Sequence, residues 1–428
     1  MNRRDFIIQY YQLLGAGLAT HLLPFSFDKL QAQNLTQFNP DHFFLLLRVE
    51  GGMDVTLGLD PKTHVDGSTQ EDIFLEYTED NIIQSGNLKL GPAAASLAQF
   101  SNDVLIINGI HMRRDAGHEA LNDYIHSGSG NGTSPILAVE LAATTAQGPM
   151  GVIVNGNTLS GQRQVALTNT STLLSTNNSY ADATDLFASA GLEGDSTFNR
   201  TLDMYIKSKE PIQLFLKTLN DYKVANGDVT GFLQDILSVA IAFTSGLSRQ
   251  SSMFIRDNQG LIDLDTHSNH EIRHLEQQKR VWDFVSESFK IFKSIPYKDG
   301  SLFDHTTFMV ATEFSRTPYL NAAKGKDHNA FTNSVLLAGK GFNTNKSIGA
   351  SHVIKKGESK FGEPLHIATP IDYKTGQVVA TKESSHSDVG LIFPENVVRT
   401  VTSLFGDVKD FSSFNLSAIK PIPGAAKS

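Results

Sequence analysis

A chain of 428 residues, with 40% hydrophobic and 19% charged residues, has the composition of a soluble globular protein and the length for one large α/β domain. The net charge of −9, without any cluster of Lys and Arg, excludes a surface that binds nucleic acid. The absence of cysteine excludes disulfides, thiolate metal sites, cysteine nucleophiles and iron–sulfur clusters, so any divalent metal must be held by His, Asp or Glu.

The N-terminus has the features of an export signal. Arg3 and Arg4 precede one acidic and two apolar residues, and a weakly apolar stretch follows up to Leu23. Paired arginines in this setting are typical of a twin-arginine signal, which the export machinery for folded proteins recognises. The stretch is too short and too polar to predict a membrane span. We therefore expect residues 1–32 to direct the protein to the periplasm; an ordinary amphipathic helix with a basic start is the alternative.

Residues 43–50 predict the first strand of the domain. They form a continuous apolar run that Gly51 and Gly52 close, as in strands of parallel sheets that are buried on both faces. Asp54 follows, at the end of the strand where α/β proteins bind ligands. A turn with a capping Asp is the alternative. Further buried strands are predicted at residues 104–108, 307–311 and 334–338.

A polar segment with two arginines and a histidine follows the strand predicted at residues 104–108. The residues from Gly117 onward predict a helix, and a helix N-terminus attracts anions such as phosphate or sulfate. Arg113, Arg114 and His118 are therefore candidates for binding the anionic group of a substrate. An exposed loop with solvated charges is the alternative.

Helical patterns alternate with the predicted strands. Apolar residues recur at helical spacing over residues 232–243, 271–295 and 394–405. Residues 168–226 begin with a stretch rich in Thr, Ser and Asn that lacks such a period, which predicts a loop-rich insertion. Alternating strands and helices are typical of a three-layer α/β/α sandwich. We expect one such domain over residues 40–420, with a mostly parallel central sheet.

A cluster of acids and histidines precedes the helix predicted to begin at residue 271. Asp263, Asp265 and His267 lie close together in the sequence there. Carboxylate and imidazole are the ligands expected for zinc or manganese, so these three residues are candidate metal ligands. A loop in which Ser268 or Asn269 caps the following helix is the alternative.

Another group of polar residues follows the strand predicted at residues 307–311. Glu313 comes directly after that strand, and Asp327 and His328 follow a turn that contains glycine. Adjacent Asp and His side chains can bind one metal ion from two sides when the backbone turns. Arg316 is a candidate for pairing with Glu313, for binding an anionic group or for a catalytic role.

Four short motifs of this chain resemble those of the bacterial domain-of-unknown-function family 1501. They are Gly51-Gly52-x-Asp54, Asp265-Thr266-His267, Glu313-Phe314-x-Arg316-Thr317 and Asp327-His328-Asn329. The resemblance runs from about residue 43 to the C-terminus, apart from residues 168–226, and a twin-arginine signal is a frequent companion of that family. The family is similar to the alkaline phosphatase and sulfatase superfamily. The resemblance therefore implies an alkaline-phosphatase-like α/β/α sandwich with a two-metal site.

The resemblance also implies which residues would bind the metals. Asp54, Asp327 and His328 would hold one divalent ion, and Asp265 with His267 would hold a second. Zinc and manganese are favoured, and calcium and magnesium are alternatives. Further candidates for completing or sharing these ligand sets are Asp263, Glu313, His352, His366 and His386.

The chain departs from the superfamily pattern at the nucleophile. The superfamily places a Ser, Thr or Cys at a helix start beside the metals, where this chain has Gly117-His118. A phosphoserine or formylglycine mechanism therefore lacks its central residue, which leaves water on a metal ion, or Asp115, as the nucleophile. The nearest hydroxyl groups along the chain belong to Ser127, Ser129, Thr133 and Ser134.

These observations predict an exported, metal-dependent hydrolase that acts on a phosphate or sulfate ester. Arg113, Arg114 or Arg316 would hold the anionic group of the substrate. A catalytically inactive binding or assembly protein of the same fold is the alternative, because the helix start lacks a hydroxyl group. A protein with structural calcium sites is a third hypothesis.

Overall fold

The computed structural model describes residues 41–64, 72–113, 117–129, 134–145, 149–155, 167–175, 196–255, 262–379, 389–407, 411 and 413–427. These residues form a mixed α/β protein around one large sheet. The predicted signal at residues 1–32 lies outside this part of the chain, as do Arg114, Asp115 and His386. Within the described part, no helix is long and apolar enough to cross a membrane.

The strands and helices are numbered here in chain order. The strands are β1 Phe43–Val49, β2 Ile83–Ser85, β3 Leu88–Leu90, β4 Val104–Ile107, β5 Val152–Asn155, β6 Leu167–Asn169, β7 Gln250–Phe254, β8 Pro296–Tyr297, β9 Gly300–Ser301, β10 Thr306–Thr312, β11 Ser315–Arg316, β12 His328–Asn329, β13 Val335–Gly339, β14 Lys346–Ile348, β15 Ala350–Ile354, β16 Leu365–Thr369, β17 Ile371–Asp372 and β18 Val389–Gly390. The α-helices are α1 His118–Ser127, α2 Leu137–Thr144, α3 Thr170–Ser175, α4 Ser196–Asn226, α5 Phe232–Thr244, α6 His270–Ser294 and α7 Pro394–Thr402. Short 3-10 helices cover Val55–Leu57, Glu79–Asn81, Pro92–Asp103 and Leu302–His305.

Eight strands form the central sheet, in the order β14-β4-β13-β10-β1-β7-β5-β6. Neighbours are parallel except where β13 pairs with β10 and β4, so β13 alone runs against the rest of the described sheet. This confirms the predicted mostly parallel sheet. Val49 pairs with Thr312, so β1 and β10 end side by side. The residues that follow these strands, Glu50 and Glu313, therefore emerge at the same edge of the sheet.

The central strands contribute side chains to two separate hydrophobic clusters. Every residue of β1 and β10 is buried. Leu45 and Leu47 pack in one cluster with α5, α6 and the 3-10 helix Pro92–Asp103. Phe44 and Leu46 pack in the other with α1, α2 and α7. Because successive side chains of a strand point to opposite faces, the two clusters lie on opposite faces of the sheet.

Helix α6 carries buried polar groups at its start and a long apolar face beyond it. Trp282 and Phe289 are fully buried, and Phe289 packs edge-on against Phe100 of the 3-10 helix. His270 and His274, one turn apart at the N-terminus of α6, are also fully buried. The Nε2 atom of His274 accepts a hydrogen bond from the backbone N–H of Asp54, so α6 packs against the segment that follows β1.

The predicted strands and helices are present, with small shifts at their ends. The direction of β13 is not readable from its sequence, because a strand buried on both faces has the same composition in either orientation. The segment between β10 and β13 starts and finishes at the same end of the sheet. Strand β13 therefore runs antiparallel to β10. The predicted insertion at residues 168–226 contains α3 and α4 in its described part, and residues 176–195 lie outside that part.

Candidate metal centre

A cleft opens where β1 and β10 end and α1 begins. Glu50 follows β1, Glu313 follows β10, and His118 is the first residue of α1. The cleft has a volume of about 370 Å³. Its described lining residues are Glu50, Gly51, His118, Glu119, Asn122, Ile262, Asp263, Leu264, Asp265 and Glu313. Five of these residues are acids, so this wall of the cleft is negatively charged.

Three histidines converge on one carboxylate oxygen beside the cleft. The Oδ1 atom of Asp265 lies 3.1 Å from Nε2 of His267, 3.5 Å from Nε2 of His118 and 3.7 Å from Nε2 of His328. The Nε2 atoms of His267 and His328 are 3.0 Å apart. We call His118, His267, His328 and Asp265 the histidine cluster. Its side chains are between 21% and 46% exposed, so a ligand from solvent can reach it.

Two further carboxylates orient the histidine rings. Glu313 Oε1 lies 2.7 Å from Nδ1 of His118, and Asp327 Oδ1 lies 2.7 Å from Nδ1 of His267. In the tautomer with the proton on Nδ1, each ring donates to its carboxylate, and its Nε2 lone pair is left for a metal ion. Carboxylate–histidine pairs of this kind support metal ligands in proteins.

The side chain of Glu313 is held by hydrogen bonds from residues at the ends of β1 and β10. Its side chain is 1% exposed. Oε1 accepts a hydrogen bond of 2.8 Å from the backbone N–H of Gly51, and Oε2 accepts one of 2.9 Å from the hydroxyl of Thr312. The hydrogen bond from His118 to Glu313 raises the pKa of His118. Acid would therefore protonate the cluster and oppose metal binding.

The ring of His328 is positioned by an aromatic stack. Phe314 stacks on it at a centroid distance of 4.1 Å, and the ring of His118 meets it edge-on at 4.6 Å. Burial, followed by the charge of Arg316, lowers the pKa of His328 and favours the neutral ring that a metal ion requires. Gly52 makes the stack feasible, because a Cβ atom at that position would lie 2.3 Å from the ring of Phe314.

Arg316 ties together the segments that carry the cluster. Its side chain is fully buried and donates to the carbonyl oxygens of Gly51, Gly52, Leu264 and Lys326. It also donates a hydrogen bond of 2.8 Å to Oδ1 of Asp265. Burial alone would raise the pKa of Asp265, but this contact with Arg316 lowers it. The guanidinium of Arg316 therefore keeps the carboxylate of Asp265 ionised and has a structural role at this site.

A close backbone contact sets the distance between two of the loops. A Cβ atom at Gly325 would lie 1.9 Å from the carbonyl group of His267. The backbone N–H of Lys326 donates to the carbonyl of Thr266 at 3.0 Å. Only glycine permits this approach, which places Asp327 beside the ring of His267.

Asp54 lies in a separate group of buried ionisable residues, away from Asp327 and His328. Its Oδ2 accepts a hydrogen bond of 2.6 Å from the ammonium of Lys326, and both side chains are 1% exposed. His270 Nε2 lies 3.4 Å from both Asp54 Oδ2 and Glu76 Oε1. Although burial opposes it, Lys326 holds the pKa of Asp54 well below its usual range. The predicted set of Asp54, Asp327 and His328 is therefore not brought together.

The other predicted site residues have contacts of their own. Asp263 accepts from the backbone N–H of Asp265 at 3.1 Å and pairs with Arg273 at 3.2 Å. Arg113 pairs with Glu395 and lies over the ring of Phe393, with Cζ 3.8 Å from the ring centroid. His352 lies 2.9 Å from the hydroxyl of Thr369, and His366 lies against the hydroxyl of Ser351.

The sequence predicts His118 as a candidate for binding an anion. In the structure, its Nε2 lies 3.5 Å from Oδ1 of Asp265, so it also stands among the candidate metal ligands, a position that the sequence did not indicate. The signal that could have found it is the position of a histidine at a helix start after a buried strand, opposite Glu313 of the neighbouring part of the sheet. Lys326 and Glu76 carried no such signal, because both are ordinary surface residue types.

Three residues of the histidine cluster, His118, Asp265 and His328, are placed so that they could share one metal ion, and His267 lies beside two of them, Asp265 and His328. Zinc binds imidazole nitrogen and carboxylate oxygen at about 2.0–2.2 Å with tetrahedral geometry, which separates the ligand atoms by about 3.3 Å. Nearest atoms in the histidine cluster are 3.0 to 3.7 Å apart, and those of His118, Asp265 and His328 all lie within 4.8 Å of one another. Neutral imidazole and carboxylate are also the donor types that zinc accepts.

Residues 257–369 match the family model described as "Protein of unknown function (DUF1501)". This segment contains Asp265, His267, Glu313, Asp327 and His328, so it spans most of the histidine cluster and the carboxylates that support it. No curated protein matches the chain.

Proposed function

We propose that this chain is an exported, metal-dependent hydrolase of a phosphate or sulfate ester, with an alkaline-phosphatase-like α/β/α sandwich. The observation that carries the proposal is the convergence of three imidazole Nε2 atoms on Oδ1 of Asp265, at 3.1, 3.5 and 3.7 Å. The mostly parallel sheet, with a hydrophobic cluster on each face, supports the fold. The motifs around Asp265 and Asp327 support the likeness to the superfamily.

The proposed cofactor is one zinc ion, with manganese as the alternative. His118, His267, His328 and Asp265 would hold it. Three imidazole nitrogens weigh against calcium or magnesium, which take oxygen ligands. A bound divalent ion supplies charge to stabilise the ester oxygens and lowers the pKa of a water molecule toward neutrality. Glu313 and Asp327 would keep the histidine protons at Nδ1 and leave Nε2 free for the ion.

Glu50 is the proposed proton acceptor. It lines the cleft beside His118, and burial together with the nearby charge of Glu313 raises its pKa. A carboxylate whose pKa lies closer to neutrality is a better general base at physiological pH. The buried pair of Asp54 and Lys326 already has its charges balanced, which favours a single-metal site over a two-metal site.

Metal content is the direct test of the metal centre. We expect the purified protein to retain about one zinc or manganese ion per chain after dialysis, and His267→Ala to lose it. His352→Ala is the matched control, because His352 contacts Thr369 and lies outside the histidine cluster. Wild-type protein that stays folded without metal and refuses added zinc would overturn the metal centre and the hydrolase together.

Export rests on the arginine pair and has a separate test. Arg3 and Arg4 precede the weakly apolar segment of residues 1–32. Replacing both with lysine in the full chain should hold the protein in the cytoplasm of a host with twin-arginine machinery. Equal periplasmic amounts of wild-type and variant protein would count against a twin-arginine signal.

A catalytically inactive binding or assembly protein is the second candidate. Gly117 favours it, because this residue caps α1 beside His118 and supplies no hydroxyl nucleophile. This candidate predicts a bound metal ion with no cleavage of phosphate or sulfate esters above the uncatalysed rate. A screen of both ester classes with metal-loaded protein, and with His267→Ala as the blank, separates the two candidates.

A further inference from the structure

Lys326 is a buried lysine whose ammonium group is surrounded by oxygen atoms. Its side chain is 1% exposed. The Nζ atom donates a hydrogen bond of 2.6 Å to Oδ2 of Asp54 and one of 3.1 Å to the carbonyl oxygen of Phe74. Lysine is almost never fully buried unless it is paired. Carboxylate and carbonyl oxygens are also the groups that hold metal cations in proteins, so the ammonium occupies a setting that suits a cation.

The carboxylate of Asp54 is fully engaged by other groups of the chain. Its Oδ1 accepts hydrogen bonds of 3.0 Å from the backbone N–H of Thr56 and of 2.7 Å from the hydroxyl of the same residue. Its Oδ2 accepts from Lys326. A metal ion on Oδ2 would stand directly beside the ammonium, and the two positive charges would repel each other. The resemblance to the phosphatase superfamily implies Asp54 as a metal ligand, and these contacts do not fit that role.

Two further buried groups around this ion pair lack a hydrogen-bond partner. Both carboxylate oxygens of Glu76 are enclosed, and neither meets a donor at hydrogen-bond geometry in the described part of the chain. Burial raises the pKa of Glu76 to about 7, although the charge of Lys326 opposes that rise. The Nε2 atom of His270 is also enclosed without a partner, and burial lowers the pKa of this ring to about 4, so the ring is neutral at physiological pH. Lys326 therefore acts on two carboxylates, through a hydrogen bond to Asp54 and through space to Glu76.

The backbone of Lys326 fixes its ammonium in this position. Its N–H donates to the carbonyl of Thr266 at 3.0 Å, and its carbonyl accepts a hydrogen bond of 3.1 Å from Arg316. Arg316 is the other buried cation nearby, but it donates to backbone carbonyls and to Asp265, which leaves Asp54 to Lys326. The next residue, Asp327, contacts a ring of the histidine cluster. The ammonium is thus held by the same loops that carry the histidine cluster.

We propose that the ammonium of Lys326 acts as a built-in cation beside Asp54, in the place of the metal ion that the resemblance implies there. Glu76, His270 and the carbonyl of Phe74 complete this site. Without the ammonium, these groups would suit a divalent ion. Nε2 of His270 lies 3.4 Å from an oxygen of each carboxylate, close to the separation of about 3.3 Å between ligand atoms around tetrahedral zinc. The site is separate from the histidine cluster and requires no metal ion there.

The test removes the ammonium and counts metal ions. Zinc and manganese are titrated separately into metal-free wild-type protein, Lys326→Ala and Lys324→Ala, and native mass spectrometry gives the number of ions per chain. We expect Lys326→Ala to bind one divalent ion more than wild-type protein, because its two buried carboxylates and an imidazole are left without a cation. Lys324→Ala is the matched control, since it removes an exposed lysine of the same loop, and it should bind as many ions as wild-type protein.

Thermal unfolding of the same proteins adds a second signature. Without metal, Lys326→Ala should unfold at a lower temperature than wild-type protein, because Asp54 keeps a buried charge without its partner. Added zinc or manganese should then raise the unfolding temperature of Lys326→Ala by more than that of wild-type protein. A folded Lys326→Ala variant that binds no more ions than wild-type protein would overturn the built-in cation.

If Lys326→Ala fails to fold even with added metal, a double variant provides the test. Asp54→Asn combined with Lys326→Met removes both charges together, and we expect it to bind as many ions as wild-type protein. Fewer ions would show that Asp54 is a metal ligand in the wild-type chain and would overturn the inference. Wild-type protein without any ion, next to Lys326→Ala with one, would overturn the metal centre and support the site at Lys326.

Discussion

Glu313 is buried and orients the ring of His118. It is 1% exposed, and one oxygen accepts from both Gly51 and His118. Such a carboxylate keeps the Nδ1 proton of His118 in place and raises the basicity of Nε2. The strength of the metal centre should therefore depend on the charge of Glu313, although Glu313 does not face the centre of the histidine cluster.

The first prediction concerns this charge. Glu313→Gln keeps the shape of the side chain but removes its charge, and we expect zinc affinity to fall by about 10- to 100-fold with the fold intact. The measurement is a competition titration of zinc against a chromophoric chelator. Asp263→Asn is the control, because Asp263 contacts Arg273 and the backbone of Asp265. Unchanged zinc affinity in Glu313→Gln would remove His118 from the proposed ligand set.

His42 gives the fold a dependence on pH that is independent of the site. It stacks on Phe405 at 4.1 Å, and its Nε2 donates to the hydroxyl of Thr307 at 2.7 Å. Burial, followed by the charge of Lys340, lowers its pKa to about 3, and nearby His305 acts in the same direction. The unfolded chain takes up a proton near pH 6.5 that the folded chain refuses. The stability contributed by neutral His42 is thus complete above pH 6.5 and is lost as the pH falls toward 3.

The second prediction follows from the lowered pKa of His42. His42→Gln keeps a donor for Thr307 but cannot titrate. Between about pH 7.5 and about pH 5, the wild-type protein should lose about 2 kcal/mol of unfolding free energy relative to the variant. Urea unfolding of both proteins in the presence of a chelator measures the difference, because the other histidines are common to both. A constant difference across this range would show that His42 titrates normally in the folded chain.

At the scale of elements, the N-terminus of α1 has room for a hydroxyl side chain at residue 117, where the chain has glycine. Gly117 caps the helix with φ −67° and ψ 167°, an extended conformation that any residue adopts. A Cβ atom there would meet nothing within 4 Å. Serine is also a favoured residue at this position of a helix, where its hydroxyl accepts from the backbone N–H groups of the first turn.

The third prediction uses this space. Gly117→Ser should fold with a stability within a few tenths of a kcal/mol of wild-type protein, and should raise ester cleavage by the metal-loaded protein by about tenfold or more, since a hydroxyl nucleophile then stands beside His118. Gly117→Ala, which adds the Cβ atom without the hydroxyl, is the control. Equal cleavage by the serine and alanine variants would favour attack by water.

The sequence predicts the elements better than it predicts the site. Buried strands such as β1 and β10 are readable because their apolar runs are continuous and end in glycine or acid. The direction of the side chains in the loops is not readable. Gly51 and Gly52, with φ of 98° and 73°, turn the chain so that Asp54 meets Lys326, and periodicity does not encode such turns.

For the whole molecule, the histidine cluster is a junction between distant parts of the chain. His118 comes from α1, Asp265 and His267 from the loop before α6, and His328 from β12. This convergence cannot be predicted from the sequence motifs. A motif identifies the types of side chain that could bind a metal ion, but not which of these distant side chains would bind the same ion. Arg316 holds two of these loops together through its hydrogen bonds to the carbonyl of Leu264 and the carboxylate of Asp265. A metal ion bound by the histidine cluster would add a second link between the same loops.

The fourth prediction is that metal removal loosens these loops and leaves the sheet intact. Binding to the folded state stabilises it by RT ln(1 + [metal]/Kd), about 4 kcal/mol at a thousandfold excess over Kd. Chelation should therefore lower the unfolding temperature of wild-type protein but not that of His267→Ala. Hydrogen exchange should accelerate in residues 262–269 and 317–328, while β1 and β10, whose residues are all buried, keep their protection. Uniform acceleration through the sheet would mean that the metal ion supports the whole fold, and no change anywhere would mean that the loops close without it.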